Sequence, residues 1–313
     1  MSLLRRARVP ALAKINLDLR VLAKRPDGFH ELRTIFQTVS LADRLEIGFA
    51  RSRRTEVVLD DPLAIPDNLV ARAARLVLDA MRVNGRVEMR LTKRIPMGAG
   101  LGGGSSDAAA VLLALPVLAG RALPLDARCA IAAELGSDVP FFLLGGRAAG
   151  IGRGTELFPL PDAAAGQGLL VAPGIHVNTA QAYRDLSPRL TTDLQRNKIY
   201  SFQSLTWDTD GSLAGIRNDF EEVVFEQHPG LAAIKKRLVR AGATAALMTG
   251  SGSSVFGLFP DREATRRAAK SLGEIQSYRI SLVSRGRYRS IWRRALAEHA
   301  EPATWPPQSR YSR

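Results

Sequence analysis

The sequence predicts a two-domain α+β protein whose second domain is ferredoxin-like, and three observations lead to this fold class. The chain has 313 residues, of which 46% are hydrophobic, enough for two separate cores. Strand-like segments and segments with helical periodicity follow one another without an internal repeat. A linker-like stretch, PLPDAAAGQG at residues 159–168, divides the chain near its middle. We therefore expect one domain at 1–160, a second at 161–295 and a flexible tail at 296–313.

The first half is predicted to begin with curved antiparallel strands and to continue with helices. Strand alternation runs through ALAKINLDLRVLAK, stops at the turn signal RPDGFHEL and resumes in LRTIFQTVSLADRLEIGFA. Helical spacing follows in DNLVARAARLVLDAMRV, with Asp67 or Asn68 as the N-cap. A further strand, VEMRLTKRI, leads directly into a glycine-rich stretch and then into a helical segment, SSDAAAVLLALPVLAG.

The second half is predicted to alternate strands and helices in the order of a split sandwich. Strand patterns occur in GLLVAP, in ATAALMTGSGSSVFGLF around a Gly/Ser turn, and in SYRISLVS. Helical patterns occur in NDFEEVVF, GLAAIKKRLVRAG and DREATRRAAKSL. The resulting order, strand–helix–strand–strand–helix–strand, is that of the ferredoxin-like fold. A polar arm at residues 185–212 shows little patterning of either kind.

The charge of the chain favours anionic partners. Lys and Arg number 44 against 30 Asp and Glu, which gives a formal net charge of +14. Phosphorylated small molecules and nucleic acid would both suit that excess. Aromatic residues make up only 6%, without zinc-ligand spacing or an RNA-binding aromatic stripe, so we expect no nucleic-acid partner. Because the sequence has no apolar run of about 18 residues and no secretory signal core, we expect a cytoplasmic protein without a membrane partner.

Five glycines within the seven residues Gly98–Gly104 are the strongest local signal in the sequence. Gly98, Gly100 and Gly103 match the dinucleotide pattern G-x-G-x-x-G, but no acidic residue ends a following strand about 20 positions on. The P-loop pattern fails because Gly104 stands where that pattern requires lysine. A phosphate cradle of backbone N–H groups and a flexible hinge before a helix are the stronger interpretations.

The interpretation as a phosphate-binding loop is favoured over that of a flexible hinge, because a strongly patterned helix follows the glycines at once. Glycine lets successive N–H groups converge, and the positive end of the helix would point at the same place. Ser105 or Ser106 would cap that helix, and both add hydroxyls for phosphate or magnesium. Lys93 and Arg94 lie just before the glycines and add positive charge.

One resemblance connects these motifs. The glycine-rich stretch, PMGAGLGGGSSDAA, resembles the phosphate loop of the galactokinase, homoserine kinase, mevalonate kinase and phosphomevalonate kinase superfamily. One branch of it has the same order of further segments, namely AKINLDLRVLAKRPDGFHEL, LGSDVPFFLLGG, NDFE and MTGSGSSVFGLF. Members of that branch phosphorylate the 2-hydroxyl of a cytidine-diphospho methylerythritol in non-mevalonate isoprenoid synthesis.

The resemblance implies the two-domain small-molecule kinase fold of that superfamily. It also implies ATP and Mg²⁺ as cofactors and a small cytidine-diphospho alcohol as the partner, in a monomer or a homodimer. The alternative activity is that of another small-alcohol kinase of the superfamily, of the homoserine or mevalonate kinase type.

The resemblance also implies roles for single residues. Asp138 in GSDVPF would be the catalytic aspartate, either as a base or as an orienting group, and Lys14 in AKINL its basic partner. Without the resemblance, Asp138 reads more simply as a helix cap and Lys14 as a solvated strand residue. Substrate contacts are implied for Asn16, Phe29, His30 and Thr179. ATP contacts are implied for Asn68, Pro96, Met97, Gly98, Ala99, Gly100, Leu101, Gly102, Gly103, Gly104, Ser105 and Ser106, of which Ser106 is also the candidate magnesium ligand and Asn68 could instead be a helix cap.

Overall fold

Two β-sheets organise the structure, a computed structural model that describes residues 4–162, 166–190 and 215–311. The strands are β1 (Arg5–Lys24), β2 (His30–Arg51), β3 (Glu56–Asp60), β4 (Gly85–Thr92), β5 (Arg147–Gly152), β6 (Glu156–Pro159), β7 (Gln167–Val171), β8 (Ala245–Met248), β9 (Val255–Phe259) and β10 (Ser277–Ser281). The helices are α1 (Leu69–Met81), α2 (Gly103–Ala119), α3 (Leu125–Leu135), α4 (Val139–Leu144), α5 (Thr179–Leu186), α6 (Phe220–Gln227), α7 (Pro229–Arg240), α8 (Arg262–Ser271) and α9 (Arg285–Ala295). Most of the polar arm predicted at 185–212 lies outside the described residues.

The first sheet has the strand order β3-β4-β2-β5-β6, with β1 paired to β2. β1 and β2 form a long antiparallel hairpin whose register shifts at Leu12/Lys14, Asn16/Asp18 and Val21/Ala23. Such bulges bend a strand and increase its twist. The bent β1 therefore contributes to two cores, with Val9 among the residues packed under the helices and Ile15 among those packed against the second sheet.

Helix α2 is the centre of the first core. It is apolar on all sides, which is the pattern of a helix buried within a protein, and its residues from Ser106 to Ala119 are buried. It contacts α1, α3 and α4 as well as β1 and β2. The N-terminus of α2, where the glycine-rich stretch ends, is therefore anchored in the first core. Among the helices of the described ranges, none combines the length and apolar composition that crossing a membrane requires.

The second sheet has the strand order β10-β7-β9-β8 and is antiparallel throughout. Counted along the second half of the chain, this order is 4-1-3-2, with α6 and α7 before β8 and α8 between β9 and β10. These helices pack on the sheet around a core of their own, which contains Leu231 and Phe220. The predicted ferredoxin-like order is therefore confirmed.

Helix α9 packs on the first core rather than on the second sheet. Tyr288 and Trp292 are each 1% exposed and belong to the same apolar core as α2. The Tyr288 hydroxyl donates a hydrogen bond to the carbonyl oxygen of Phe142. The sequence did not predict this helix, because the arginines around Tyr288 and Trp292 obscure the apolar pair.

The residues after α9 also pack on the first core. Trp305 Nε1 donates to Leu143 O at 3.0 Å, and Ser309 Oγ donates to Val117 O at 2.7 Å. The flexible tail expected at 296–313 is therefore wrong for residues 296–311, because aromatic burial and these hydrogen bonds hold them. The domain boundary at residue 160 stays a prediction.

Replacing Trp292 by alanine tests whether α9 belongs to the first core. Truncating a buried tryptophan costs about 3–5 kcal/mol, so we expect the free energy of unfolding in urea to fall by about that amount. Arg293→Ala is the matched control, because this neighbouring side chain is exposed and such substitutions usually stay within about 0.5 kcal/mol. Equal stability of the two variants would contradict the packing of α9.

Candidate active site

A cleft of about 980 Å³ lies between the glycine-rich stretch, the β1–β2 hairpin and the loop that precedes α5. Its described lining contains four cationic side chains, those of Lys14, Lys24, Arg153 and Arg184, and one acidic side chain, that of Asp138. This charge balance suits an anionic ligand. The cleft brings together these predicted site residues: Lys14, Asn16, Phe29, His30, Gly98, Gly100, Gly102, Ser105, Asp138 and Thr179. Its lining does not include the others: Asn68, Pro96, Met97, Ala99, Leu101, Gly103, Gly104 and Ser106.

The glycine-rich stretch forms a loop in which left-handed glycines alternate with buried apolar residues. Gly98, Gly100 and Gly102 have φ angles of +63°, +76° and +67°. Ala99 and Leu101, which lie between them, are buried. Glycine takes this backbone conformation at little steric cost, and loops of this kind can gather N–H groups around an anion. The buried residues fix the loop, while the glycines let the backbone itself face the cleft.

Helix α2 begins directly after the loop, at Gly103, with Gly102 as its N-cap and no side chain in the capping position. The first N–H groups of a helix have no partner within it, so they are available to a ligand here. The predicted cap at Ser105 or Ser106 is wrong, because both serines lie inside the first turn. Ser105 lines the cleft, whereas the buried Ser106 donates its hydroxyl to Leu12 O at 2.7 Å. The cleft therefore offers the hydroxyl of Ser105, not that of Ser106, to phosphate or magnesium.

The turn between β8 and β9 holds the glycine loop in place. Thr249 Oγ1 lies 3.3 Å from Gly100 O, and Ser254 N donates to Ala99 O at 3.3 Å. A Cβ atom on Gly100 would lie 2.1 Å from Thr249 O, so the two backbones are in contact. The Gly/Ser turn of the second sheet thus forms one wall of the loop.

Lys14 and Asp138 meet in the cleft, with Lys14 Nζ 3.4 Å from Asp138 Oδ2. Lys14 is only 3% exposed, while the side chain of Asp138 is 33% exposed. Asp138 precedes α4, but its side chain makes no capping hydrogen bond. The simpler readings, a helix cap for Asp138 and a solvated strand residue for Lys14, are therefore wrong, and the carboxylate is available to a ligand.

Asn16 joins both sheets beside Lys14. Its Oδ1 accepts hydrogen bonds from Lys14 Nζ at 2.7 Å and from Gly250 N at 3.0 Å. Its Nδ2 donates to Thr34 Oγ1 at 2.7 Å, and its backbone N donates to Thr249 Oγ1 at 3.0 Å. The structure thus gives Asn16 a positioning role that the sequence did not predict, and its substrate contact stays a prediction.

Lys93, just before the glycine loop, is neutralised within the protein. Its ammonium group bonds to Asp43 and, at 2.6 Å, to Asp107. Burial, with Asp43 adding to it, raises the pKa of Asp107 to about 7, although Lys93 opposes the shift. Asp43 also accepts hydrogen bonds from the backbone N–H groups of Arg94 and Ile95, which fixes the entrance of the loop. The charge of a bound phosphate must therefore be met by cations other than Lys93.

Asn68 lies at the N-terminus of α1, away from the cleft lining. Its Oδ1 accepts from Val70 N at 3.0 Å, and its Nδ2 donates to Asp61 Oδ2 at 2.9 Å. The capping role expected for Asn68 is confirmed, because the hydrogen bond to Val70 satisfies one of the open N–H groups of the helix. Its contact with a nucleotide stays a prediction.

His30 lies in the same cleft as the Lys14–Asp138 pair. Its Nε2 is 2.8 Å from Ser187 Oγ, and its ring stacks on Tyr183 with the centroids 4.6 Å apart. Burial, and to a lesser extent the charge of Lys24, lowers the pKa of His30. This shift favours the neutral imidazole, and because Nε2 faces Ser187, Nδ1 is the ring nitrogen left for a ligand.

Phe29 and Thr179 complete the predicted substrate contacts. The ring of Phe29 is 48% exposed, and the guanidinium of Arg153 lies 3.5 Å from its centroid. Thr179 Oγ1 is 2.7 Å from Ser251 Oγ, which ties the start of α5 to the β8–β9 turn.

Among the lining residues that the sequence did not predict are Arg153, His176 and Tyr183. Tyr183 could have been predicted from its spacing: it follows Thr179 by four positions, so the two residues share one face of a helix. Arg153 stands between two glycines in a turn, and His176 precedes a helix, so neither has a local pattern that indicates a site.

Comparison with known proteins agrees with this geometry. The family model described as GHMP kinases N terminal domain matches residues 68–146, and the model described as GHMP kinases C terminal matches residues 201–275. A homoserine kinase from Cytophaga hutchinsonii has the same fold, with a TM-score of 0.68 at 21% identity over 88% of this chain and 94% of that one. The fold and the glycine-loop cleft thus define a GHMP kinase.

More similar relatives narrow this class. The 4-diphosphocytidyl-2-C-methyl-D-erythritol kinase of Solibacter usitatus (strain Ellin6076) is 72% identical over the full length of both chains. A crystal structure of 4-(cytidine 5'-diphospho)-2C-methyl-D-erythritol kinase matches with a TM-score of 0.74 and 38% identity, over 88% of this chain and 98% of that one. The chain belongs to the family of 4-diphosphocytidyl-2-C-methyl-D-erythritol kinases, as the sequence motifs indicated.

Alanine at Gly100 tests the contact between the glycine loop and the β8–β9 turn. Its Cβ would meet Thr249 O at 2.1 Å in a backbone with φ of +76°, so we expect the free energy of unfolding in urea to fall by about 2 kcal/mol or more.

Gly104→Ala is the matched control for that substitution. A Cβ there would meet only Leu69 Cδ1, at 3.9 Å, and alanine is the better helix former by about 1 kcal/mol. We therefore expect unchanged or slightly higher stability for this variant. Similar losses for both variants would contradict the contact with Thr249.

Proposed function

We propose that the protein transfers the γ-phosphoryl group of ATP to the 2-hydroxyl of 4-(cytidine 5'-diphospho)-2-C-methyl-D-erythritol. One observation carries the proposal: a single cleft contains the glycine loop, the Lys14–Asp138 pair and the aromatic side chains of Phe29 and His30. A phosphate donor, a reacting hydroxyl and a base can therefore be held at the same time. The 72% identity with a full-length relative of that name supports the same substrate.

Asp138 and Lys14 are proposed to act on the acceptor hydroxyl. The Asp138 carboxylate accepts the proton of the acceptor hydroxyl, or orients that hydroxyl. The oxygen of the acceptor hydroxyl bonds to the γ-phosphorus while the bond from that phosphorus to the β–γ bridging oxygen breaks. ADP leaves with the bridging oxygen. Lys14, held by Asn16 at 2.7 Å, keeps a positive charge beside Asp138 and stabilises the charge on the transferred group.

The glycine loop and the uncapped N-terminus of α2 are proposed to hold the phosphates of ATP. Residues Pro96–Ser106 would surround the phosphates, and the N–H groups would come from the backbone of Met97–Ser105, because proline has no N–H and Ser106 N already donates to Gly102 O. Asn68 remains the proposed contact of the nucleoside.

Magnesium is proposed to bind beside these phosphates. The donor set of the cleft fits it, because Mg²⁺ takes oxygen ligands and is usually held by one or two carboxylates together with substrate phosphates. Asp138 and Ser105 supply a carboxylate and a hydroxyl there. The described residues contain no cluster of three or more metal-binding side chains that would hold the ion without the nucleotide. When bound, the ion neutralises charge on the phosphate oxygens.

The aromatic part of the cleft is proposed to bind the cytidine. The half-exposed ring of Phe29 offers a face on which cytosine can stack, with no hydroxyl needed for that contact. The neutral imidazole of His30 can hydrogen-bond to the edge of the base. Thr179, at the start of α5, would contact the substrate from the second half of the chain.

Asp138→Ala tests the proposed chemistry. Loss of a positioned base lowers kcat by about 10²–10⁴-fold, and we expect a loss in this range for ADP formation with the cytidine-diphospho substrate. The fold should be retained, because Asp138 contributes no capping hydrogen bond and Lys14 keeps its hydrogen bond to Asn16. Asp126→Ala, an exposed aspartate in the first turn of α3, is the control that keeps full activity. Full turnover by the Asp138 variant would refute the assignment.

His30→Ala tests the nature of the acceptor. We expect KM for the cytidine-diphospho substrate to rise by about tenfold, the effect of one lost hydrogen bond, with KM for ATP unchanged in the same steady-state assay. If the native protein instead phosphorylated homoserine or mevalonate with a higher kcat/KM, the cytidine substrate would be wrong and the alternative within the superfamily correct.

A further inference from the structure

His176 lines the cleft but has no part in the reaction proposed above. It lies in the loop between β7 and α5, and its side chain is exposed. A Cβ atom on Gly98 would lie 3.3 Å from His176 Nδ1 and 3.7 Å from its Cε1. The imidazole therefore lies against the first left-handed glycine of the glycine loop. Within the described part of the chain, neither of its ring nitrogens has a hydrogen-bond partner.

The chain on both sides of His176 is fixed to the β8–β9 turn. Ser253 Oγ donates to Ile175 O, and Thr179 Oγ1 lies 2.7 Å from Ser251 Oγ. The same turn contacts the glycine loop through Thr249, as described above. One turn therefore anchors both the loop that carries His176 and the loop that carries Gly98, so the position of the imidazole relative to the glycines is set by the fold.

The two lysines that contact the glycine loop, Lys14 and Lys93, already face carboxylates. Lys93 is shared between Asp43 and Asp107, and Lys14 is engaged by Asp138 and Asn16. An imidazole donor next to the loop would add what backbone N–H groups alone lack, a side chain that can carry positive charge.

We propose that His176 is a phosphate-binding residue of the nucleotide site, donating from its imidazole to a non-bridging oxygen of the ATP triphosphate. The proposal rests on the proposed function, because it assumes that the glycine loop holds ATP. It adds a side chain of the loop between β7 and α5 to the glycine loop and the uncapped start of α2. ATP then joins the two halves across the cleft.

Binding measurements on the full-length protein test this role. The probes are adenylyl imidodiphosphate, a non-hydrolysable ATP analogue, and inorganic tripolyphosphate, with Kd measured by calorimetry. We expect His176→Ala to weaken both by about tenfold, the effect of one hydrogen bond to a charged group. His176→Asn, whose amide nitrogen can take the place of Nδ1, should stay within about threefold of the native protein. His228→Ala, between α6 and α7, is the matched control and should change neither Kd.

Cytidine diphosphate distinguishes binding of the ATP triphosphate from binding of the diphosphate of the cytidine substrate. Its Kd should be the same for the native protein and His176→Ala, because His176 is assigned to ATP. Unchanged binding of both triphosphate probes by His176→Ala, or weaker binding of cytidine diphosphate alone, would overturn the inference while leaving the proposed function intact. Absence of any phosphoryl transfer by the native protein would instead refute the proposed function.

Discussion

The side-chain amide of Asn16 is the interaction on which the site depends. Its oxygen accepts from Lys14 and from Gly250, while its nitrogen donates to Thr34. One buried amide thus connects two strands of the first sheet with the turn of the second sheet. A buried polar group is stable only when its hydrogen bonds are made, so the position of Lys14 and the approach of the two sheets are fixed together.

The phosphate site proposed above has no lysine in its glycine loop. Backbone N–H groups and the uncapped start of α2 attract anions there, and Lys93 beside it serves to anchor the loop through Asp43. The charge comes from Lys14, which belongs to a strand more than 80 residues upstream. In this proposal, binding and charge are supplied by separate elements of the fold, which Asn16 holds together.

Local patterns predicted much of the fold but little of the site. The cap at Asn68 and the ferredoxin-like order were predictable, because each depends on neighbouring residues. The pair of Lys14 and Asp138 was not predictable from spacing, since each residue type has a commoner role in its local segment, and only the resemblance connected them. Residues such as His176 face the cleft because of tertiary packing, which leaves no periodic signal. The flexible tail predicted at 296–313 was wrong for a related reason: Trp305 and Ser309 bond to Leu143 and Val117, which are far away in the sequence.

The return of α9 to the first core has a consequence for the order of events during synthesis. The chain leaves that core after β6 and comes back to it from Val283 onward, with the aromatic side chains of Tyr288 and Trp292. While the ribosome is still producing the second sheet, the core around α2 lacks these aromatic side chains. The N-terminal half therefore cannot finish folding first, as separate domains usually do. Closure of the first core waits for the last residues, which couples the completion of the nucleotide site to the arrival of the whole chain.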